Sequence, residues 1–415
     1  MKPRHLGPVL ILCLACLWLL PAPARAQRLI EAKLIATLQR HQLDSIRHAN
    51  HVPRRLAPVT YGVSIYDVLY QTSWADGSPV VASGYLMVPA GVKGEVPILA
   101  YDHGTRLEKA RTWAFKGEEA VCAFYAADGY LVVFPDYVGL RRGERNHLYH
   151  HAATEAMATV DMLRATREFM PQIGVAWNEQ LFITGYSQGG HAAMATHKYI
   201  QERLHGEFTV TASAPMSGPY DLAGVQGRVL NKPYSQPGYL PYLLVSYQAA
   251  YHLLPDSGDY FRPPYDTLIP RLFTGKLSFN DVNPLLPSIP GDMMREDLLA
   301  AYVTDSANPL RRLMQENSLT NWAPESPMLL CYCRNDEQVN YENSLVAHER
   351  MTALGSELVQ LRRAGRKFHH SRCSIYTSIY ARMWFNSIRD GHKTGKKGPL
   401  WNRFLVNMSK MMMKP

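Results

Sequence analysis

The sequence predicts an α/β fold: a mostly parallel central sheet with helices on both faces and a helical cap inserted ahead of its last strands. Three observations lead there. From Lys93-Gly94 onward, apolar runs of strand length alternate with segments of helix length. That rhythm breaks from Gly218 to Glu325 and then returns. At the centre of the chain, QLFITGYSQGG (180–190) joins a short apolar run to a helical one through Gly185-Tyr186-Ser187-Gln188-Gly189.

Composition sets the frame for these elements. A chain of 415 residues, 47% apolar and 19% charged, can bury a large core as one enlarged domain or two. Lys2 and Arg4 precede an apolar run from Val9 to Leu20, and small residues at Ala24 and Ala26 end it. This is the pattern of a secretory signal (residues 1–26) cut after Ala26, with an apolar run too short to span a bilayer. Lipid attachment at Cys16 fits less well, since LWLL follows it and Cys13 stands where a lipobox has leucine. Loss of Lys2, Arg4 and Arg25 lowers the formal net charge from +9 by three, to +6. The remaining charge is spread out, with one dense cluster from His392 to Lys397, which argues against a nucleic-acid partner.

Four cysteines remain after the signal: Cys122, Cys331, Cys333 and Cys373. A secreted protein is free to pair them, and four cysteines allow three connectivities. Cys331-x-Cys333 lacks the spacing of a zinc ribbon, so no metal is expected.

Taken in order, residues 27–217 read as the first part of the core. Leu29, Ile30, Leu34, Ile35 and Leu38 fall at helical spacing and predict one amphipathic helix across residues 28 to 50. Alternating runs from Tyr61 and from Val80 to Val88, joined at Asp76-Gly77, predict an antiparallel hairpin at a sheet edge. VPILAYDHGT is a strand, Trp113 to Asp128 a helix stopped by Gly129, YLVVFPDYVGL a strand and HAATEAMATVDMLRATREFM a helix. The Ser187 strand and FTVTASAPMS follow. Residues 218–325, rich in proline and tyrosine and too apolar for disorder, form the cap, with YLPYLLVSYQAAYHLL as one helix. Residues 326–415 complete the core: strand PMLLCYC, helix NYENSLVAHERMTAL, strand ELVQLRR and closing helix SIYTSIYARMWFNSI.

The chemistry gathers at strand ends. Gly-x-Ser-x-Gly between a strand and a helix is a nucleophile-elbow signature, with small residues where a side chain would strike the neighbouring backbone. A serine hydroxyl is a weak nucleophile, so Ser187 needs a histidine to take its proton and an acid to orient that histidine. At this elbow the expected order is serine, acid, histidine. The strand MLLCYC runs into Arg334-Asn335-Asp336-Glu337, giving Asp336 as the acid with Glu337 the alternative. ELVQLRR leads to Lys367-Phe368-His369-His370, giving His370 as the base with His369 second. An oxyanion hole needs two donors. The amide of Gln188 supplies one and the loop after the HGT strand the other, through Thr105 or Gly104. His191 is assigned to packing, Asp136 to fixing loop geometry and His103 to anchoring its loop.

YDHGTR, FPDYVGL, GYSQGGHA, SGPYDL, NDEQVNYENS and HHSRC, in this order, resemble the secretory-lipase branch of the α/β-hydrolases, over most of the chain after Tyr61. The resemblance implies an α/β-hydrolase fold, a triad of Ser187, Asp336 and His370, a lid from the insertion after Ser217, carboxylic-ester substrates and no cofactor. It favours His370 through its spacing to Cys373. One departure is Asn340, where the family pattern has proline. Because Cys333 precedes Asp336 and Cys373 follows His370, a Cys333-Cys373 disulfide would tie the two loops together. The expected activity is ester hydrolysis by a secreted or periplasmic esterase or lipase, on small-molecule or lipid-like esters and without stable membrane insertion. A peptidase of the same fold and a non-catalytic binding protein are the alternatives.

Overall fold

The structure is a computed structural model that describes residues 27–391. The expected signal (1–26) and the basic cluster from His392 to Lys397 lie outside the described residues. Among the described residues nine strands form one sheet: β1 Leu29–Leu38, β2 Gly62–Ser73, β3 Pro79–Ala90, β4 Gly94–Asp102, β5 Leu131–Pro135, β6 Val175–Tyr186, β7 Val210–Met216, β8 Met328–Cys333 and β9 Val359–Gly365. Their order is β1-β2-β3-β5-β4-β6-β7-β8-β9. The first three strands pair antiparallel, and every pairing from β5 to β9 is parallel. The strand before Ser187 therefore lies inside the parallel part, with neighbours on both sides.

The parallel strands are covered on both faces, as their near-continuous apolar sequences require. On one face α2 (Gly117–Ala127) and α10 (His370–Arg389) pack Cys122, Ala126, Tyr376 and Phe385 against Leu99, Val132 and Phe182. On the other, α3 (Ala152–Phe169) and α4 (Gln188–Arg203) pack Val160, Leu163, Ala193 and Ile200 against Ile98, Val133 and Ile183. The helix α9 (Glu342–Ala353) joins β8 to β9.

The amino-terminal reading needs correction. Residues 28 to 50 are not one helix: Leu29–Leu38 is strand β1, paired with β2, and the helix α1 spans only Arg40–Ala49. Ile30, Leu34 and Ile35 are 53%, 51% and 41% exposed, so they are no buried helical stripe. The outer edge of β2 offers backbone partners that the sequence pattern does not display, and that pairing overrides a weak local preference. The β2–β3 hairpin forms in full register from Gly62↔Ala90 to Ser73↔Pro79, with β1 taking the edge position expected for it. Two helices also shift: the one expected from Trp113 begins at Gly117, and the closing helix begins at His370, ahead of its apolar run.

Between β7 and β8 the chain adds no strand to the sheet. It builds α5 (Tyr239–Tyr251), α6 (Tyr265–Leu272), α7 (Glu296–Thr304) and α8 (Pro309–Glu316), joined by short turns. These enclose an apolar cluster of their own around Leu244, Tyr247, Ile269, Val282 and Met293. Leu107 and Tyr149, from loops at the carboxyl ends of the sheet strands, belong to the same cluster and bind it to the core. Three side chains of α5 fasten it further. Tyr242 Oη donates to the carbonyl of Arg106, Ser246 Oγ to that of His147 and Tyr247 Oη to that of His150.

Candidate active site

At the end of β6 the backbone turns sharply. Ser187 has φ 61° and ψ −120°, a left-handed conformation that costs a residue with a side chain about 1–3 kcal/mol and persists only where the surroundings enforce it. Here they do: Ser187 N donates to Met216 O at 3.0 Å, and α4 starts at the next residue. The motif glycines are a steric necessity. A Cβ on Gly185 would lie 2.2 Å from Gly189 O, and one on Gly189 would lie 1.9 Å from Asp102 O.

Asp336 and His370 meet from the ends of different strands. His370 Nδ1 lies 2.8 Å from both Asp336 oxygens, with the carboxylate 1% and the imidazole 7% exposed. Asp336 Oδ1 also accepts the amides of Gln338 (3.1 Å) and Val339 (2.9 Å), which hold the carboxylate in place. Asn340 then accepts the amide of Glu342 at 2.9 Å, so the position without proline still ties down the chain where α9 begins. Cys333 and Cys373 form a disulfide, which ties the end of β8 to the first turn of α10; Cys122 and Cys331 are free and buried.

The alternative residues stand apart from this pair. His369 is 70% exposed and lies 3.2 Å from Glu337 Oε2. Glu337 instead accepts the amide of His370 at 2.9 Å. Burial works to raise its pKa, but that amide and the two histidines prevail and hold the carboxyl below its ordinary value.

Tyr186, the residue before the serine, forms the floor of the histidine site. Its ring centroid lies 4.8 Å from that of His370, and its hydroxyl donates to His370 O at 2.6 Å. Nothing in the sequence marks this tyrosine, because the motif leaves its position free. Ser187 itself is 6% exposed and lines a cavity of about 60 Å³ with His150, Tyr149, Leu222, Tyr234 and Leu243.

Of the two candidates for the second oxyanion donor, the structure separates one from the other. The amide of Gly104 is engaged by both oxygens of Glu118, at 3.1 and 3.0 Å. The amides of Thr105 and Gln188 have no acceptor among the described residues. Gln188 also begins α4, so its N–H points out of a helix N-terminus, where negative charge is favoured. His103 anchors the loop through Nδ1, 2.7 Å from Gly104 O, and Asp136 binds Ser83 and Arg141.

A second polar cluster lies beneath the elbow. Glu155 of α3 accepts from the side chain of Gln188 at 2.8 Å and lies 2.6 Å from His191 Nδ1, whose Nε2 is 2.8 Å from Asn317 O. Burial opposes the charge on Glu155, but His191 outweighs it and brings the carboxyl down to about 2. His150, Glu155 and His191 have the donor types to hold a metal, with ligand atoms within 4.8 Å of one another. Yet Glu155 and His191 already satisfy each other, which makes the cluster a hydrogen-bonded support for α4 rather than an open ligand set. His191 thus does more than pack. The one advance signal was a glutamate set among small and apolar residues in AATEAMATV.

Known proteins resemble this chain in sequence and fold. The family model described as secretory lipase matches residues 105–251. A ligand-bound form of the rice cell wall degrading esterase LipA from Xanthomonas oryzae is 30% identical, with a TM-score of 0.75 over 89% of this chain and 99% of that one. A putative hydrolase from Legionella pneumophila superposes with a TM-score of 0.81 at 24% identity, over 89% of this chain and all of its own. A secreted triacylglycerol lipase of Malassezia globosa is 21% identical over 343 residues, which are 77% of this chain and 71% of that protein.

Proposed function

The chain belongs to the secretory lipase family of the α/β-hydrolases and is a carboxylic-ester hydrolase, and on that premise we propose that it works outside the cell through an acyl-enzyme on Ser187. His370 takes the serine proton as Oγ attacks the ester carbonyl, then returns it to the departing alcohol. Water attacks the acyl-enzyme by the same route and frees the acid. Asp336 fixes the imidazole tautomer and stabilises the imidazolium. The amides of Gln188 and Thr105 receive the oxyanion. The contact that carries this reading is His370 Nδ1 at 2.8 Å from both oxygens of Asp336, on an imidazole that rests against Tyr186, the neighbour of Ser187.

The cavity walls argue for an aliphatic acyl chain. The tyrosines that line it are already committed: Tyr149 Oη to Thr105 Oγ1, Tyr234 Oη to Gln338 O and Tyr239 Oη to Gln338 Oε1. Gln226 is likewise engaged by Gln338 and Asn343, and apart from His150 the rest of the wall is apolar, chiefly Leu222, Leu230, Leu240, Leu243 and Met314. Such a wall suits methylene groups and leaves the hydroxyls of a sugar unpaired. Ligand cavities usually hold several hundred Å³, so at about 60 Å³ this one opens further when substrate enters. The contacts of Gln226, Tyr234 and Tyr239 with Gln338 form the wall between cap and acid loop that has to give way.

Ser187→Ala tests the mechanism. It should lower hydrolysis of a short-chain aryl ester by at least ~10⁴-fold while leaving the unfolding midpoint in place; retained turnover would overturn the assignment.

A further inference from the structure

We propose that Glu118, on the first turn of α2, is a positioning residue that sets the oxyanion hole by clamping the loop that carries the Thr105 amide. The inference rests on the reading of Thr105 and Ser187 given above. Three contacts carry it. Both carboxylate oxygens of Glu118 accept the Gly104 amide, at 3.1 and 3.0 Å. On the other side of the same residue, His103 Nδ1 lies 2.7 Å from Gly104 O. A Cβ on Gly104 would sit 3.2 Å from Tyr186 O and 3.7 Å from Glu118, so the residue is held between the elbow strand and the carboxylate.

Peptide planarity turns these contacts into orientation. In a trans peptide the N–H points opposite to the C=O. Pinning the Gly104 carbonyl to His103 therefore aims the Thr105 N–H the other way, and pinning the Gly104 amide to Glu118 fixes the preceding peptide plane, on which that of Gly104 and Thr105 turns. The His103 tautomer fits this role: burial, and then Arg106, push its pKa well below the ordinary value, so the ring is neutral with its proton on Nδ1 and Nε2 bare. Glu118 and Glu155 thus act as a pair, one holding the loop of the Thr105 donor, the other the side chain of Gln188.

The two carboxylates differ in their proton chemistry. Glu118 is faced by Tyr101, Arg106, Glu119, Cys122, Tyr137 and Tyr186. Arg106 is the nearest cation at 3.9 Å, but it lies closer to Glu119, at 3.0 Å, and Glu119 also takes Arg111 at 2.8 Å. Burial consequently dominates, against the pull of Arg106 and the Gly104 amide, and pushes Glu118 up to about 7. The clamp is at full strength above that pH. Below it the carboxyl takes a proton, one oxygen ceases to accept, and the hold on Gly104 weakens.

The test compares the full chain with Glu118→Gln and Glu118→Ala, using p-nitrophenyl butyrate from pH 5.5 to 9 and labelling Ser187 with a fluorophosphonate to count competent sites. Glu118→Ala should lose about 10-fold or more in kcat per labelled site with KM within twofold, since a lost oxyanion donor costs about 10²–10³. Glu118→Gln, nearly isosteric, should keep more of kcat, and its pH profile should lose the part of the change near pH 7 that Glu118 contributes. Wild-type kcat and an unchanged pH profile in the Gln variant would overturn the proposal, whatever the fate of the Ala variant. Absence of label on wild-type Ser187 would overturn the nucleophile reading and this inference with it, and is told apart because it appears before any Glu118 substitution is made.

Discussion

His370 and Asp336 are joined by two equal contacts, Nδ1 standing 2.8 Å from each carboxylate oxygen, while the neighbouring pair His369 and Glu337 meets at 3.2 Å in solvent. The distinction is chemical. Only the buried pair can fix an imidazole tautomer, because water competes for the exposed one.

Asp336→Asn should lower kcat by ~10³–10⁴-fold with little change in stability, since the amide retains the shape that accepts the Gln338 and Val339 N–H groups. Glu337→Gln should cost less than ~10-fold, because its contact is to the His370 amide and not to the ring. The order of the two losses in steady-state kinetics decides between the acids; a larger loss at Glu337 would reverse the roles.

The Cys333–Cys373 disulfide closes a loop of 40 residues that contains both Asp336 and His370. Chain entropy for a loop of that length predicts a stabilisation of ~4 kcal/mol. Replacing both cysteines by serine should lower the unfolding free energy by ~2–5 kcal/mol in guanidinium titrations. It should also lower kcat, because the first turn of α10 carries the histidine. A variant with unchanged stability would mean that the loop is already ordered in the unfolded chain.

What could be read in advance divides by the range of the cause. Ser187 was legible because an elbow needs Gly185 and Gly189 for local backbone clearance, and that need is written within five residues. Asp336 and His370 were legible because each follows a recognisable apolar strand. Glu118, Glu155 and Tyr186 were not, because their partners are Gly104, Gln188 and His370, and no local pattern records which loops a sheet brings together. The error at Leu29–Leu38 has the same origin: ten residues with apolar positions at mixed spacing fit either period, and the edge of β2 decided the outcome. The segment between β7 and β8 stood out by composition, but the use of its tyrosine hydroxyls depends on contacts more than 90 residues away, as between Tyr242 and Arg106 or Tyr234 and Gln338.

Stability should fall as the medium is acidified from about pH 6.5. Burial depresses His151 to about 4 and His197 to about 3, so between the ordinary histidine value and these the unfolded chain binds protons that the folded chain refuses. Stability then rises with pH across that window and is lost on going down through it. Glu155 adds to the loss at lower pH. Its carboxylate, held down to about 2, contributes stability above the ordinary value that disappears as pH falls toward 2. Glu118 has the opposite sign, with stability declining as pH rises from 4.5 to about 7. Urea unfolding at pH 7.5, 5.5 and 4 should show the net fall, and His197→Asn should give a shallower slope between 6.5 and 3. An identical slope in that variant would remove His197 from the explanation.

Leu243 offers the most direct test of what the cavity admits. It lies on α5, is 6% exposed, and lines the cavity beside Ser187 together with Leu222 and Met314. The helix that carries it is fastened to the core through Tyr242, Ser246 and Tyr247, so a larger side chain at this position cannot be relieved by sliding α5 outward. Leu243→Trp should therefore fill the cavity proposed for the acyl chain instead of displacing its wall. An acetyl group ends close to the carbonyl and should be turned over within about threefold of wild type, while a hexanoyl chain meets the indole. Since a single methylene is worth about 10–200-fold in such a pocket, the hexanoyl-to-acetyl ratio of kcat/KM should drop by at least ~10-fold. An unchanged ratio would place the acyl chain elsewhere and leave this cavity to the alcohol.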